Sequence, residues 1–447
     1  MTIRKTIVFF PSPAALGPCL NLIGIAQRLS QKGYRSVFVV DPLMAGPARS
    51  YGLEEYLVPC LLPISADELA QRMREFEEQA LLAFRTTPLE QIDTYVRACM
   101  EAGVESVSFA ERGLAAAFSE LRPDLIVKDN ATLYPATEMA GCPWVRVISC
   151  CESELPDPDI PPFASGCHVH DPVGFAQFQA RFAEVIRPIH DRFNEVVVST
   201  GHPALPWPEF QLPSPHLNLL LYPENLRYHR RNTLDPQRFH YLNGCLRQDD
   251  APVVLPTFQK YQDRPLIYVG FGSIGAAEID VMKRLISALG KLPYRVLVAA
   301  GQYQSAYSEL PENVQVTGWC NQIGLLPHCD VVIQHGGNNT LNETLYFGKP
   351  PIVMPFTWDG HDNAARVADT QHGIKLHRYA WTEEELCQAI ERVLVDPVIR
   401  RNIERTSRHM QASDGCAKAA RLIDEFLCCE AGSRPSQSVC EPHGEAQ

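Results

Sequence analysis

Two doubly wound α/β domains facing each other are what this sequence predicts, and three observations carry the prediction. At 447 residues the chain exceeds what one hydrophobic core usually organises, so two domains of similar size are expected. Apolar strand-like runs alternate with amphipathic helical stretches in both halves, the pattern of parallel sheets covered by helices. Each half also opens with a strand, a glycine-bearing turn and a helix.

In the first domain, residues 1–245, a strand at 6–10 leads through a Pro- and Gly-bearing loop into a helix at 21–31. Leu22, Ile25, Ala26 and Leu29 share one face of that helix, and a strand at 36–40 completes the β-α-β opening. Further strands are expected at 125–128, 144–148 and 217–222, with a helix at 173–198. The helical stretch 66–121 is long enough to wall a cleft. The Asp- and Pro-bearing stretch 246–264 reads as a linker. The second domain, residues 265–430, repeats the plan with a strand at 266–269, the turn Gly270-Phe271-Gly272-Ser273, a helix at 278–289 and a strand at 295–299. Thr382 and Glu385 have capping-box spacing, a last helix is expected at 417–427, and the polar tail 431–447 reads as disordered.

Composition narrows the function. A formal net charge of -12 argues against nucleic acid or an anionic membrane surface as the main partner, since both reward clustered Lys and Arg. No leader-like N-terminus and no bilayer-length apolar run is present in the sequence, so a cytoplasmic location is expected. The 15 cysteines are odd in number and never spaced as a CxxC pair, which points to neither a disulfide framework nor a zinc site; most are expected to be small buried residues.

The chemistry concentrates at 319–363, WCNQIGLLPHCDVVIQHGGNNTLNETLYFGKPPIVMPFTWDGHDN. An apolar strand ending at Ile333, a tight turn at His335-Gly336-Gly337 and a helix from Asn338 stopped by Gly348 set a helix N-terminus beside a histidine. Free N–H groups at Asn339 and Thr340 and the positive end of the helix dipole favour a diphosphate, with His335 adding a hydrogen bond. Glu343 lies one turn after Asn339 on the same face, placed to accept from both hydroxyls of a ribose. Trp319 offers a flat surface for a base.

This segment resembles the donor-binding signature of the family 1 nucleotide-sugar glycosyltransferases, in particular their bacterial macrolide-type branch. The resemblance implies two facing Rossmann-like domains, the GT-B architecture, with a UDP- or TDP-sugar as co-substrate and no metal or other cofactor. It assigns Trp319 to the base, His335, Gly337, Asn339 and Thr340 to the diphosphate, Glu343 to the ribose and Asp359 to the sugar hydroxyls, with Gln322 also among the donor-binding residues. The turn at Gly272 and Ser273 becomes a donor-side loop, and the last helix is expected to cross back and brace the first domain. Gly360 stands where the family has Gln, which removes an amide and is expected to leave space for a modified sugar. Asn321 replaces a Pro in the same loop. On the acceptor side the catalytic His position is Pro18, which has no proton-accepting side chain, whereas its partner position is filled by Asp129. Desolvation would raise the pKa of Asp129 and fit it to act as the base directly; His168 or His170 could instead fold into the gap.

Other patterns carry less. Gly270, Gly272 and Gly275 spell GxGxxG, but the strand at 295–299 ends without the acid a dinucleotide site needs. Asp157-Pro158-Asp159 sits in a Pro-rich turn, which suits turn formation better than metal binding. His168 and His170 lack a third ligand in view. The reading is therefore an inverting glycosyltransferase moving a hexose or deoxyhexose to a small lipophilic acceptor of natural-product type. Two alternatives stand beside it: a donor-binding but inactive paralogue that serves as a partner protein, and a nucleotide-sugar epimerase.

Overall fold

The computed structural model describes residues 4–13, 15–61, 71, 75, 78–259 and 261–433, with the side chains at 273 and 430–433 excepted. The first sheet comprises β1 (Thr6–Pro11), β2 (Arg35–Val40), β3 (Glu54–Leu57), β4 (Leu125–Asp129), β5 (Trp144–Ile148), β6 (Leu217–Leu220) and β7 (Phe239–Tyr241). These strands are all parallel, in the order β3-β2-β1-β4-β5-β6-β7. β1 and β4 are buried throughout, as strands covered on both faces must be. The edge strands β3 and β7 escaped the sequence reading: their residues are only half-buried or exposed, so neither shows a continuous apolar run.

Helix α1 (Leu16–Gln31) buries Leu22, Ile25, Ala26 and Leu29 as expected, but it starts at Leu16 rather than at 21. Pro18 lies in its first turn, where a missing N–H breaks no helical hydrogen bond. The expected helical stretch 66–121 begins partly outside the described residues; within them it holds a capped turn at Pro88–Gln91, a π turn at Ile92–Val96 and helix α2 (Arg97–Leu121). Helix α3 (Pro172–Ser199) follows, capped by Asp171. Among the described residues 242–265 there is neither helix nor strand, and the stretch read as linker, 246–264, lies inside that range.

The second sheet runs β10-β9-β8-β11-β12-β13, again all parallel. Its strands are β8 (Leu266–Gly270), β9 (Arg295–Ala299), β10 (Val314–Thr317), β11 (Val331–Gln334), β12 (Pro351–Val353) and β13 (Ile374–Lys375). Its helices are α4 (Ile279–Leu289), α5 (Asn338–Tyr346), α6 (Asp359–Asp369), α7 (Glu383–Val395), α8 (Pro397–Ala412) and α9 (Gly415–Ser433). Both capping-box bonds form between Thr382 and Glu385 at the start of α7. Helix α9 returns to the first domain: Ala419, Ala420, Ile423 and Leu427 share a core with Leu22, Ile25 and Leu29, and Lys32 pairs with Asp424 at 2.7 Å. The expected disordered tail starts at 431, whereas α9 continues to Ser433; residues 434–447 lie outside the description.

In each sheet the strand order reverses between the first strand and the one added on its other side, at β1/β4 and at β8/β11. Such reversals open the crevices in which doubly wound folds bind ligands. Two smaller expectations resolve here as well. Asp157 spends its carboxylate on the backbone N–H groups of Asp159, Arg231 and Asn232, which is a structural turn. Of the described cysteines only Cys19, Cys60, Cys151, Cys329 and Cys416 are fully buried, so the expectation that most would be is corrected. Cys99 and Cys387 sit half-buried on helices, and Cys320, Cys428 and Cys429 are exposed.

Candidate active site

The turn joining β11 to α5 is shaped by glycines that make room for one imidazole. Gly336 adopts φ +93, and a side chain on Gly337 would put its Cβ 2.4 Å from the His335 Nε2. A Cβ on Gly272, at the start of the Gly272–Gly275 turn, would press the same ring at 3.1 Å. His335 stacks on Phe356 with centroids 5.3 Å apart. Burial, assisted by the charge of Arg378, lowers its pKa to about 4, so the ring is neutral near pH 7. Its Nδ1 has no hydrogen-bond partner among the described residues.

The first turn of α5 faces the first domain. Asn338 donates to the carbonyls of Ser149 (2.6 Å) and Leu221 (2.7 Å), Asn342 donates to Leu221 (2.9 Å), and Asn339 donates to Gly17 (3.2 Å). The Gly17 carbonyl therefore sets the residue before Pro18 against the diphosphate candidate Asn339. Glu343 is buried, and both of its oxygens are engaged, by Arg247 at 2.9 Å and by Gln322 at 2.5 Å. Trp319 is 71% exposed and lies against Gly301, a flat aromatic surface open to a stacking partner. The side chain of Ser273 lies outside the description, although its backbone belongs to the Gly272–Gly275 turn.

Asp359 departs from its expected setting. Its Oδ2 accepts from the Asn338 N–H (3.1 Å) and from Asn363 Nδ2 (3.3 Å), so it caps α5 as well as opening α6. Burial raises its pKa to about 7. Gly360 departs further. A Cβ there would lie 2.7 Å from the His335 carbonyl oxygen, so the glycine permits a close backbone crossing and does not open space toward a sugar.

Asp129 ends β4, with its backbone carbonyl accepting from Ser12 at 3.0 Å. It is buried; Oδ1 accepts from the Ser149 hydroxyl at 2.9 Å, and Oδ2 has no partner among the described residues. Burial pushes its pKa up to about 8, the Glu154 charge adds to the rise, and the Ser149 bond opposes it. The two histidines do not join this group. His168 pairs with Asp369 at 2.6 Å, and His170 is exposed. Asp369 ends α6, about 15 Å along the helix from Asp359 at the usual rise. An exposed loop histidine beside a half-buried carboxylate gains a partner without entering the cleft.

Sequence reading missed several residues that assemble this site. Asn338, Asn342 and Asn363 tie α5 and α6 to first-domain carbonyls, and Asp362 accepts from Ser153 and from the backbone of Ala164 and Gly166. The spacing of Asn338 and Asn342, one turn apart, was the only signal in the sequence. Aromatic contacts between Phe84 and Phe356 (4.7 Å) and between Tyr95 and Trp358 (6.0 Å) bring the 66–121 stretch against the second domain. Among the described residues, buried polar atoms without partners include those of Asp129, Asn130 and His335, at or just after the ends of β4 and β11, and those of Asn338, Asn342 and Asn363 in α5 and α6. Such atoms suit a polar ligand.

Comparison with known proteins bears on this arrangement. Residues 283–424, which include α5 and α6, match the family described as erythromycin biosynthesis protein CIII-like, C-terminal domain. Over 94% of its length the chain is 26% identical to the demethyllactenocin mycarosyltransferase of Streptomyces fradiae, covering 86% of that protein. The chain is a glycosyltransferase, similar over nearly its whole length to enzymes of the bacterial macrolide type. The transferase is also 23% identical to the oleandomycin glycosyltransferase of Streptomyces antibioticus, over 93% of this chain and 90% of that one. Its fold matches the glycotransferase of kitacinnamycin with a TM-score of 0.72 at 20% identity, covering 95% of this chain and 99% of that one. It also matches the glycosyltransferase VinC, solved with dTDP, with a TM-score of 0.64 at 17% identity, covering 95% and 100%. No group of three or more His, Cys, Asp or Glu among the described residues could hold a metal ion, and no helix among them is long and apolar enough to cross a membrane.

Proposed function

We propose that this transferase moves a hexose or deoxyhexose, with inversion, from a UDP- or TDP-sugar to the hydroxyl of a small lipophilic acceptor, with Asp129 as the base. The observation that carries the reading is the double role of Ser149. Its hydroxyl donates to Asp129 at 2.9 Å, and its carbonyl accepts from Asn338 at 2.6 Å, so one residue joins the base candidate to the donor helix. The Asp129 carboxylate takes the acceptor proton, the acceptor oxygen bonds to the anomeric carbon, and the bond to the nucleoside diphosphate breaks. The leaving anion meets the α5 N-terminus at Asn339 and Thr340 and the neutral His335 ring. In this reading the base stacks on Trp319 beside Gln322, Glu343 takes the ribose, and Gly272, Ser273 and Gly337 let the diphosphate approach closely. Asp359 keeps one oxygen for a sugar hydroxyl.

Donor binding is expected to need no metal. In calorimetry with EDTA present, the parent binds UDP or TDP. His335→Ala weakens that binding about tenfold or more, the cost of about 1.5–3 kcal/mol for a hydrogen bond to a charged group. Unchanged affinity in the variant, or binding only with added Mg²⁺, overturns the donor-site assignment. Pro18 supports a second reading, a donor-binding protein without turnover that acts as a partner of another enzyme, because it leaves the usual histidine position without a proton acceptor.

A further inference from the structure

We infer that Arg247, in the segment between the two sheets, is a positioning residue of the donor site that holds the Glu343 carboxylate in place for a ribose from the side of the first domain. The inference rests on the donor-site reading above. Three contacts fasten the segment to the first domain. The Gln248 backbone exchanges hydrogen bonds with the Gln27 amide at 2.9 and 3.0 Å. The Tyr51 hydroxyl donates to Asp249 at 3.0 Å, and Arg247 Nε donates to that hydroxyl at 2.9 Å. The backbone also passes so close over α1 that a Cβ on Gly24 would lie 3.2 Å from the Arg247 nitrogen.

From that fixed base the guanidinium reaches into the second domain and gives Nη1 to Glu343 Oε1 at 2.9 Å. Gln322, itself accepting from the Tyr268 hydroxyl at 3.0 Å, holds the other oxygen. An ionised carboxylate has about four acceptor positions, so two engaged ones leave two, the number a ribose diol would use. A carboxylate fixed from both sides loses little rotamer freedom when the sugar binds, and holding it in one orientation raises affinity. Because one of the two holding groups is anchored to the first domain, ribose recognition becomes coupled to how the second domain seats on the first.

The test compares UDP, whose ribose carries both hydroxyls, with its 2′,3′-dideoxy form, by calorimetry on the full chain. Arg247→Met keeps the apolar stem beside Tyr51 and removes the charge. It is expected to weaken the hydroxylated nucleotide roughly tenfold, the scale of a charge-assisted hydrogen bond, and the dideoxy form less than twofold. Arg247→Lys is expected to restore part of the difference. Equal weakening of both ligands means that Arg247 acts only on the stability of the domain arrangement, and unchanged binding of both means that it does not act; either overturns the inference and leaves the donor site standing. A parent protein that binds no nucleotide overturns the donor site and this inference together.

Discussion

Asp129→Asn is expected to lower turnover by about 100-fold or more, the usual size of a general-base effect, while nucleotide affinity stays unchanged. The substitution preserves shape and the Ser149 contact but removes the proton acceptor. The pH profile supplies the independent check. Burial raises the pKa of Asp129 to about 8, and only the carboxylate can take a proton. Accordingly kcat/KM should rise with pH up to about 8 and level off above it, and the variant's residual activity should lack that limb. A fully active Asp129→Asn variant, together with a dead His168→Ala or His170→Ala, would move the base to a histidine against the geometry found for both.

Gly360→Gln is expected to damage the donor site, although it restores the residue found in the resembling family. Its Cβ would meet the His335 carbonyl oxygen at 2.7 Å, and neither backbone can give way without moving the turn that holds the imidazole. Overpacking of this kind costs about 1–3 kcal/mol, or roughly 2–12 °C in Tm for a domain of this size. Diphosphate binding should fall along with the melting temperature. Thermal melts and calorimetry with UDP-glucose decide it: a variant that melts like the parent and binds UDP-glucose more tightly would restore the idea that Gly360 leaves room at the sugar.

The contrast between these two positions indicates what the sequence made legible. The β11-turn-α5 unit could be read because its information is local: an apolar run, glycines, then a helix with a Gly stop. Asp129 could be read as a strand-end carboxylate because β4 is apolar and covered on both faces. The role of Gly360 could not, because it depends on a backbone crossing with His335, which no periodicity encodes. Arg247 was hidden for a similar reason, since a linker residue gains its meaning only when two folded domains are brought together. The edge strands β3 and β7 lacked the apolar runs that marked the central strands, and the weak pattern at α1 concealed a helix that begins before Pro18.

The central claim is transfer of a sugar to an acceptor without metal, and mass spectrometry of product tests it most directly. EDTA-treated protein would be incubated with a panel of UDP- and TDP-sugars and small lipophilic acceptors bearing a hydroxyl. The predicted result is acceptor carrying one sugar, with donor consumed in step and the product lost in Asp129→Asn. Isomerised donor without a linked product would indicate an epimerase. Nucleotide binding without any turnover would indicate a partner protein in which Pro18 marks a lost activity, and either result would contradict the account.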